Sequence, residues 1–236
     1  MYSVIQTIGL EIIFAEDNEY TDFLYIYMDF VIALNLANCI GLLGPRKKLQ
    51  SSLPHFTLLN LKFMISLGIN FLITFAFMFF SIWMVTLDKG YFPTSSTHFE
   101  GEGLTEKRAT FESTIISLLA IQGTFHIAVS FNVAGEFKVR FYRQKYFMIS
   151  LVIYSLFQLY LIFNGRNWIE PVDNFFMDKL NFVVFDEVMK IYVLLLLLAF
   201  SMLSVFVELV LIKFRVPSTK KLSRKTAEPL LREAHA

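Results

Sequence analysis

Charge is what this sequence has least of. Only 17% of its 236 residues are Asp, Glu, Lys or Arg, where an ordinary soluble domain carries about 25%. The formal net charge is +1, so there is no basic surplus to attract phosphates and no nucleic-acid partner is expected. There is one cysteine, Cys39. That excludes a disulfide within the chain, and its place inside an apolar block reads as small packing. Histidine is also scarce: His55, His98, His126 and His235 are scattered and form no Cys/His metal cluster. The N-terminus lacks a basic region ahead of its apolar run, so no cleavable signal peptide is expected. No repeat of about 20–50 residues is apparent.

What is abundant is apolar surface. The chain is 56% hydrophobic and 17% aromatic, with 27 Phe and a mean hydropathy of +0.56. The arrangement matters more than the amount, because the apolar residues come in long blocks nearly free of charge. A bilayer core of about 30 Å needs about 20 apolar helical residues. Five blocks meet or approach that length, at 20–43, 58–85, 111–134, 146–163 and 189–214. Residues 2–14 are apolar too, but at about 1.5 Å per residue they cover only about two-thirds of a bilayer. They read as half a helix, either re-entrant or the end of a longer span. The expected fold is therefore an all-α integral membrane protein. It is a bundle of five full transmembrane helices and an N-terminal half-helix over 1–215, with the lipid bilayer as its first partner. Residues 216–236 are polar, contain Pro217 and Pro229, and read as a disordered tail.

Loop charge supports the same scheme. Arg46, Lys47 and Lys48 follow the first full span. Lys138, Arg140, Arg143 and Lys145 follow the third, and Lys213, Arg215, Lys220, Lys221, Arg224 and Lys225 follow the fifth. The segments between lean acidic: Glu16, Asp17, Glu19 and Asp22; then Glu100, Glu102, Glu106 and Glu112; then Glu170, Asp173 and Asp178. The positive-inside rule makes the basic loops and the C-terminus cytoplasmic.

Ionisable groups inside a span are costly and mark function by default. Asp29 lies about 10 Å below the acidic face, at about 1.5 Å per residue from Asp22. Asp22, Tyr25 and Asp29 recur at helical spacing and share one face; Asn35 and Asn38 continue the polar character. Carboxylates with phenol rings suit an organic cation, by ion pairing and cation–π attraction. A structural role, with Asp29 bonded to a neighbouring helix, fits the same position. Tyr2 and Gln6 share a face of the half-helix, four residues apart. Gln122, His126 and Gln158 read as helix-packing residues. Glu208, near the end of the last span, reads as snorkelling or pairing with the basic tail.

These residues carry a family likeness. Tyr2-Ser3-Val4-Ile5-Gln6 resembles the Tyr-Ser-x-x-Gln stretch in the fifth membrane helix of P-type ATPases of the fifth subfamily, B branch. Phe23 to Phe30, ending Met28-Asp29-Phe30, is similar to the sixth-helix run that ends Ile-Asp-Leu there. Gly44-Pro45 followed by basic residues resembles the exit from that helix. Phe111-Glu112-Ser113-Thr114 is similar to the entry of the eighth helix, Phe137 to Tyr146 to the connector into the ninth, and Val207-Glu208 to the end of the tenth.

The resemblance implies the C-terminal membrane portion of a polyamine- or cation-transporting pump of late endosomes, lysosomes or vacuoles. It implies that Tyr2, Gln6 and Asp29 line the polyamine path, with Asp22 near its lumenal mouth; Tyr25 joins the substrate-binding candidates through the face it shares with Asp22 and Asp29. It also implies that ATP and magnesium bind domains absent here. No Asp-Lys-Thr-Gly-Thr phosphorylation motif and no Thr-Gly-Glu motif occurs in the sequence. No cofactor and no ATPase activity are expected of this chain alone. Its partners are then the N-terminal portion of the pump and an organic cation. The alternative is a non-catalytic subunit derived from such a pump, paired with other membrane proteins in a larger complex. An unrelated channel lined by Asp29 ranks last, because no inverted repeat is seen.

Overall fold

The computed structural model describes residues 2–15, 18–42, 44, 61–91, 110–133, 141–163, 175, 179–180 and 182–212. The polar tail from 216 and most of the acidic segment between 88 and 110 lie outside them. The described residues form helices and no strands. α1 is the short apolar helix Tyr2–Ala15. α2 covers Asp22–Gly41, α3 Leu61–Val85, α4 Phe111–Val133, α5 Lys145–Phe163 and α6 Glu187–Phe206. Five helices are long and apolar enough to cross a membrane, and α1 is not. The chain is a multi-pass membrane protein.

α4 is the hub. It packs against α1, α2, α3 and α6, and 83% of its apolar window is buried, against 28–39% for the other four spans. It is also the least hydropathic span, at 1.4. The two facts have one cause. A helix surrounded by protein has no need of a greasy surface, and small or hydroxylated residues let neighbouring backbones come close. The hydroxyls of Ser117 and Thr124 donate back to the Ser113 and Ala120 carbonyls, at 2.6 and 3.0 Å, which satisfies them inside their own helix. Glycine does the rest. At Gly123 a Cβ would meet Ile5 Cδ1 of α1 at 3.0 Å, and at Gly9 one would meet Tyr20 Oη at 2.3 Å and Ile116 Cγ2 of α4 at 3.2 Å. The buried face of α1, Ile5, Gly9 and Ile13, therefore lies tightly on α4. The outer helices turn phenyl rings outward instead: on the exposed side of α3, Phe71 stacks on Phe75 and Phe79 packs tilted against Phe75.

One end of the bundle is tied by loop contacts. Asn18, between α1 and α2, donates to Thr110 Oγ1 at 3.2 Å, and Thr110 caps α4 by accepting from Ser113 N at 3.1 Å. Val183 N donates to Thr114 Oγ1 at 2.9 Å. Asp88, just past α3, accepts from its own turn at Gly90 N and from Asp186 N at the start of α6, at 2.7 and 3.1 Å. The α1–α2 turn, the end of α3 and the starts of α4 and α6 thus share one face. These are the ends that border the three acid-leaning segments.

Two of the described stretches wind as π-helix. Tyr27–Ala33 in the middle of α2 is π-helical, and so is Val207–Ile212, which continues α6. Each contains a carboxylate, Asp29 in the first and Glu208 in the second. π turns are rare and cluster at functional positions.

Candidate functional site

α1 and α2 meet at Asp29. The Tyr2 hydroxyl and the Gln6 amide, one turn apart on α1, both donate to Asp29 Oδ1, Gln6 at 3.4 Å. The two residues share a face because they are four apart in an α-helix. Asp29 reaches them from the π turn. In an unbroken α-helix, residues eight apart are offset by about 80°, and one extra residue in the turn reduces that to about 20°. Asp29, Ala33 and Ala37 accordingly line one groove of about 420 Å³, closed on its other side by Thr124 and Ala128 of α4 and capped by Tyr2. The arrangement is a single carboxylate at the head of an apolar, small-residue trough. Among the described residues no three His, Cys, Asp or Glu side chains gather to hold a metal ion.

Tyr25 and Asp22 sit above Asp29 toward the acidic face. Tyr25 packs edge-on against Tyr20, with ring centroids 5.6 Å apart. Tyr20 is fully buried, and burial pushes its phenol well above the usual range. It stands as a neutral pillar between α1 and α2. Asp22 opens the first turn of α2, where Thr21 caps the helix by accepting from Leu24 N at 3.2 Å.

Deeper along α2 the polar residues join α5. Asn35 Oδ1 accepts from Ser150 and from Cys39, each at 3.4 Å. Tyr154 donates to the Val31 carbonyl at 2.5 Å. Asn38 is exposed. The packing residues of α4 and α5 do as their positions suggest: Gln122 donates to Ser201 of α6, and Gln158 to the Leu118 carbonyl at 2.9 Å. His126 approaches the Gln122 carbonyl through Nδ1 at 3.2 Å and packs edge-on against Phe200.

Glu208 does not snorkel, because it is buried; the basic tail, its alternative expected partner, lies outside the described residues. Glu208 sits at the junction of α6 and α3, where Ser66 and Asn70 both donate to it, Asn70 at 3.0 Å; Ser204 in turn donates to Asn70 Oδ1 at 2.9 Å. Ser66 and Asn70 are four apart on α3 and Ser204 and Glu208 four apart beyond it, so two helix faces interlock. A second groove, about 600 Å³ between α3 and α6, is lined by Phe80, Trp83, Tyr192 and alanines. Its lining holds no carboxylate and so lacks the chemistry of the Asp29 site.

No family model and no curated protein matches the chain. Fold and site define a class: a multi-pass helical membrane protein with a carboxylate set between two helices at the head of a groove.

Proposed function

We propose that this chain forms one wall of a membrane path for organic cations, with polyamines the favoured substrate, as the C-terminal membrane portion of an ATP-driven pump. The observation that carries the reading is the convergence of Tyr2 and Gln6 on Asp29. The two donors hold the carboxylate in one orientation, and its charge attracts an ammonium group. The Ala33–Ala37 trough below suits the methylene chain of a polyamine, which gains from leaving water. Asp22 and Tyr25 lie on the approach from the acidic face and concentrate cations there. On this reading the basic loops and the C-terminus are cytoplasmic. The membrane is that of a late endosome, lysosome or vacuole, and polyamine moves toward the cytosol. ATP and magnesium belong to domains outside this chain.

A second reading has a specific observation in its favour. Asp29 and Ala37 are exposed on the open side of the groove, and a helix from another subunit seated there makes the chain a structural element of a larger complex. Equilibrium binding of radiolabelled spermine to the purified chain in nanodiscs separates the two. The transport-path reading predicts saturable binding that excess putrescine or spermidine competes away and equimolar sodium does not. Absence of saturable binding leaves the subunit reading.

A further inference from the structure

A π turn needs outside support. It leaves carbonyls of the span without the partners an α-helix supplies, and within a bilayer an unpaired carbonyl is expensive. In α2, Leu34 N takes the Asp29 carbonyl, five residues back. The Val31 carbonyl receives the hydroxyl of Tyr154 on α5, at 2.5 Å, from a chain position 123 residues away. The Tyr154 ring is buried and stacks on Phe125 of α4, with centroids 5.6 Å apart and planes within 10°. α4 therefore fixes the ring, and the ring aims the hydroxyl.

We propose that Tyr154 is a positioning residue: its hydroxyl holds the π turn of α2 open and so aims Asp29 at Tyr2 and Gln6. Resting on the reading of Asp29 as a cation site, it adds a device on α5 that sets the geometry of that site without touching the ligand. Reversion of the turn to α geometry adds one residue's worth of winding. Asp29 then rotates by about 100° relative to Ala37 and leaves the groove face. Ser150, one turn away, bonds Asn35 and not a carbonyl of the π turn, so its loss leaves the turn in place.

The test reads geometry separately from binding. In a Cys39→Ala background, Gln6→Cys and Asp29→Cys are bridged with a short bifunctional thiol reagent in the full chain in nanodiscs. Tyr154→Phe keeps the stacked ring and removes only the hydroxyl. It is expected to cut bridging at least fivefold, with Ser150→Ala unchanged. p-Aminophenylalanine at 154, which donates from the same place, is expected to restore it. In the chain with Gln6 and Asp29 intact, Tyr154→Phe is expected to weaken spermine binding about tenfold. Unchanged bridging in Tyr154→Phe overturns the inference whatever spermine does, and so does failure of p-aminophenylalanine to restore it. Lost and restored bridging in a chain that never binds spermine supports the positioning role and sinks the cation-site reading instead.

Discussion

Among single residues, Asp29 carries the chemistry of the proposed cation site, and Tyr2 and Gln6 hold its carboxylate. A charge-assisted contact is worth about 1.5–3 kcal/mol, so Asp29→Asn is predicted to weaken spermine binding about 10- to 100-fold while leaving thermal stability within a few degrees. Radioligand titration and a detergent melt check the two halves. Gly9 makes a different kind of claim. A Cβ there would lie 2.3 Å from Tyr20 Oη, inside a contact that has no slack because Tyr20 is fully buried. Gly9→Ala is predicted to destabilise by about 1–3 kcal/mol through overpacking. Tyr20→Phe removes the clashing oxygen, an atom with no hydrogen-bond partner among the described residues, and is predicted to recover most of the loss. A melting series over the two single variants and the double variant decides, and additive losses would contradict the contact.

Among the elements, α3 and the end of α6 are joined by a buried polar interlock. Ser66, Asn70, Ser204 and Glu208 are all buried, and each bond crosses from one helix to the other. Interhelical hydrogen bonds in membranes are worth about 0.6–2 kcal/mol each. Asn70→Ala breaks two of them and is predicted to cost about 1–3 kcal/mol, read as a lowered melting temperature in detergent. A double-mutant cycle with Ser204→Ala is predicted to show coupling, because Asn70 is the shared partner.

Much of this level is visible in the amino-acid order, and the reasons for what is not are physical. Spans show because a bilayer demands long apolar runs. The shared face of Tyr2 and Gln6 shows because α geometry fixes four-residue neighbours. The π turn does not show: Tyr-Met-Asp-Phe-Val-Ile-Ala is ordinary apolar helix by composition, and its support, Tyr154, comes from another helix. Glu208 reads as a snorkelling end residue because its partners lie about 140 positions earlier, where Ser66 and Asn70 look like incidental polar residues in a span. Position within one helix is local information, and the choice of partner helix is not.

At the scale of the whole molecule, the helices sort their ends by charge. The contacts joining Asn18 to Thr110, Thr114 to Val183 and Asp88 to Asp186 gather the ends that border the acidic segments on one face. Single cysteines at Glu19 and at Arg46, in a Cys39→Ala background, are predicted to label from opposite sides of sealed vesicles with a membrane-impermeant maleimide. Labelling from the same side would contradict the alternation. The proposed function assigns ATP hydrolysis to domains outside this chain, and the purified chain is predicted to release no phosphate from ATP, with or without spermine.

The Asp29 carboxylate, held by Tyr2 and Gln6, is the proposed seat of the cation. Its most direct measurement is the side-chain carboxyl ¹³C resonance of Asp29, assigned by comparison with Asp29→Asn and followed during a spermine titration of the chain in nanodiscs. A saturable shift is predicted at the concentrations where radiolabelled spermine binds, unmoved by equimolar sodium chloride. A resonance that stays still while spermine saturates the protein would contradict it.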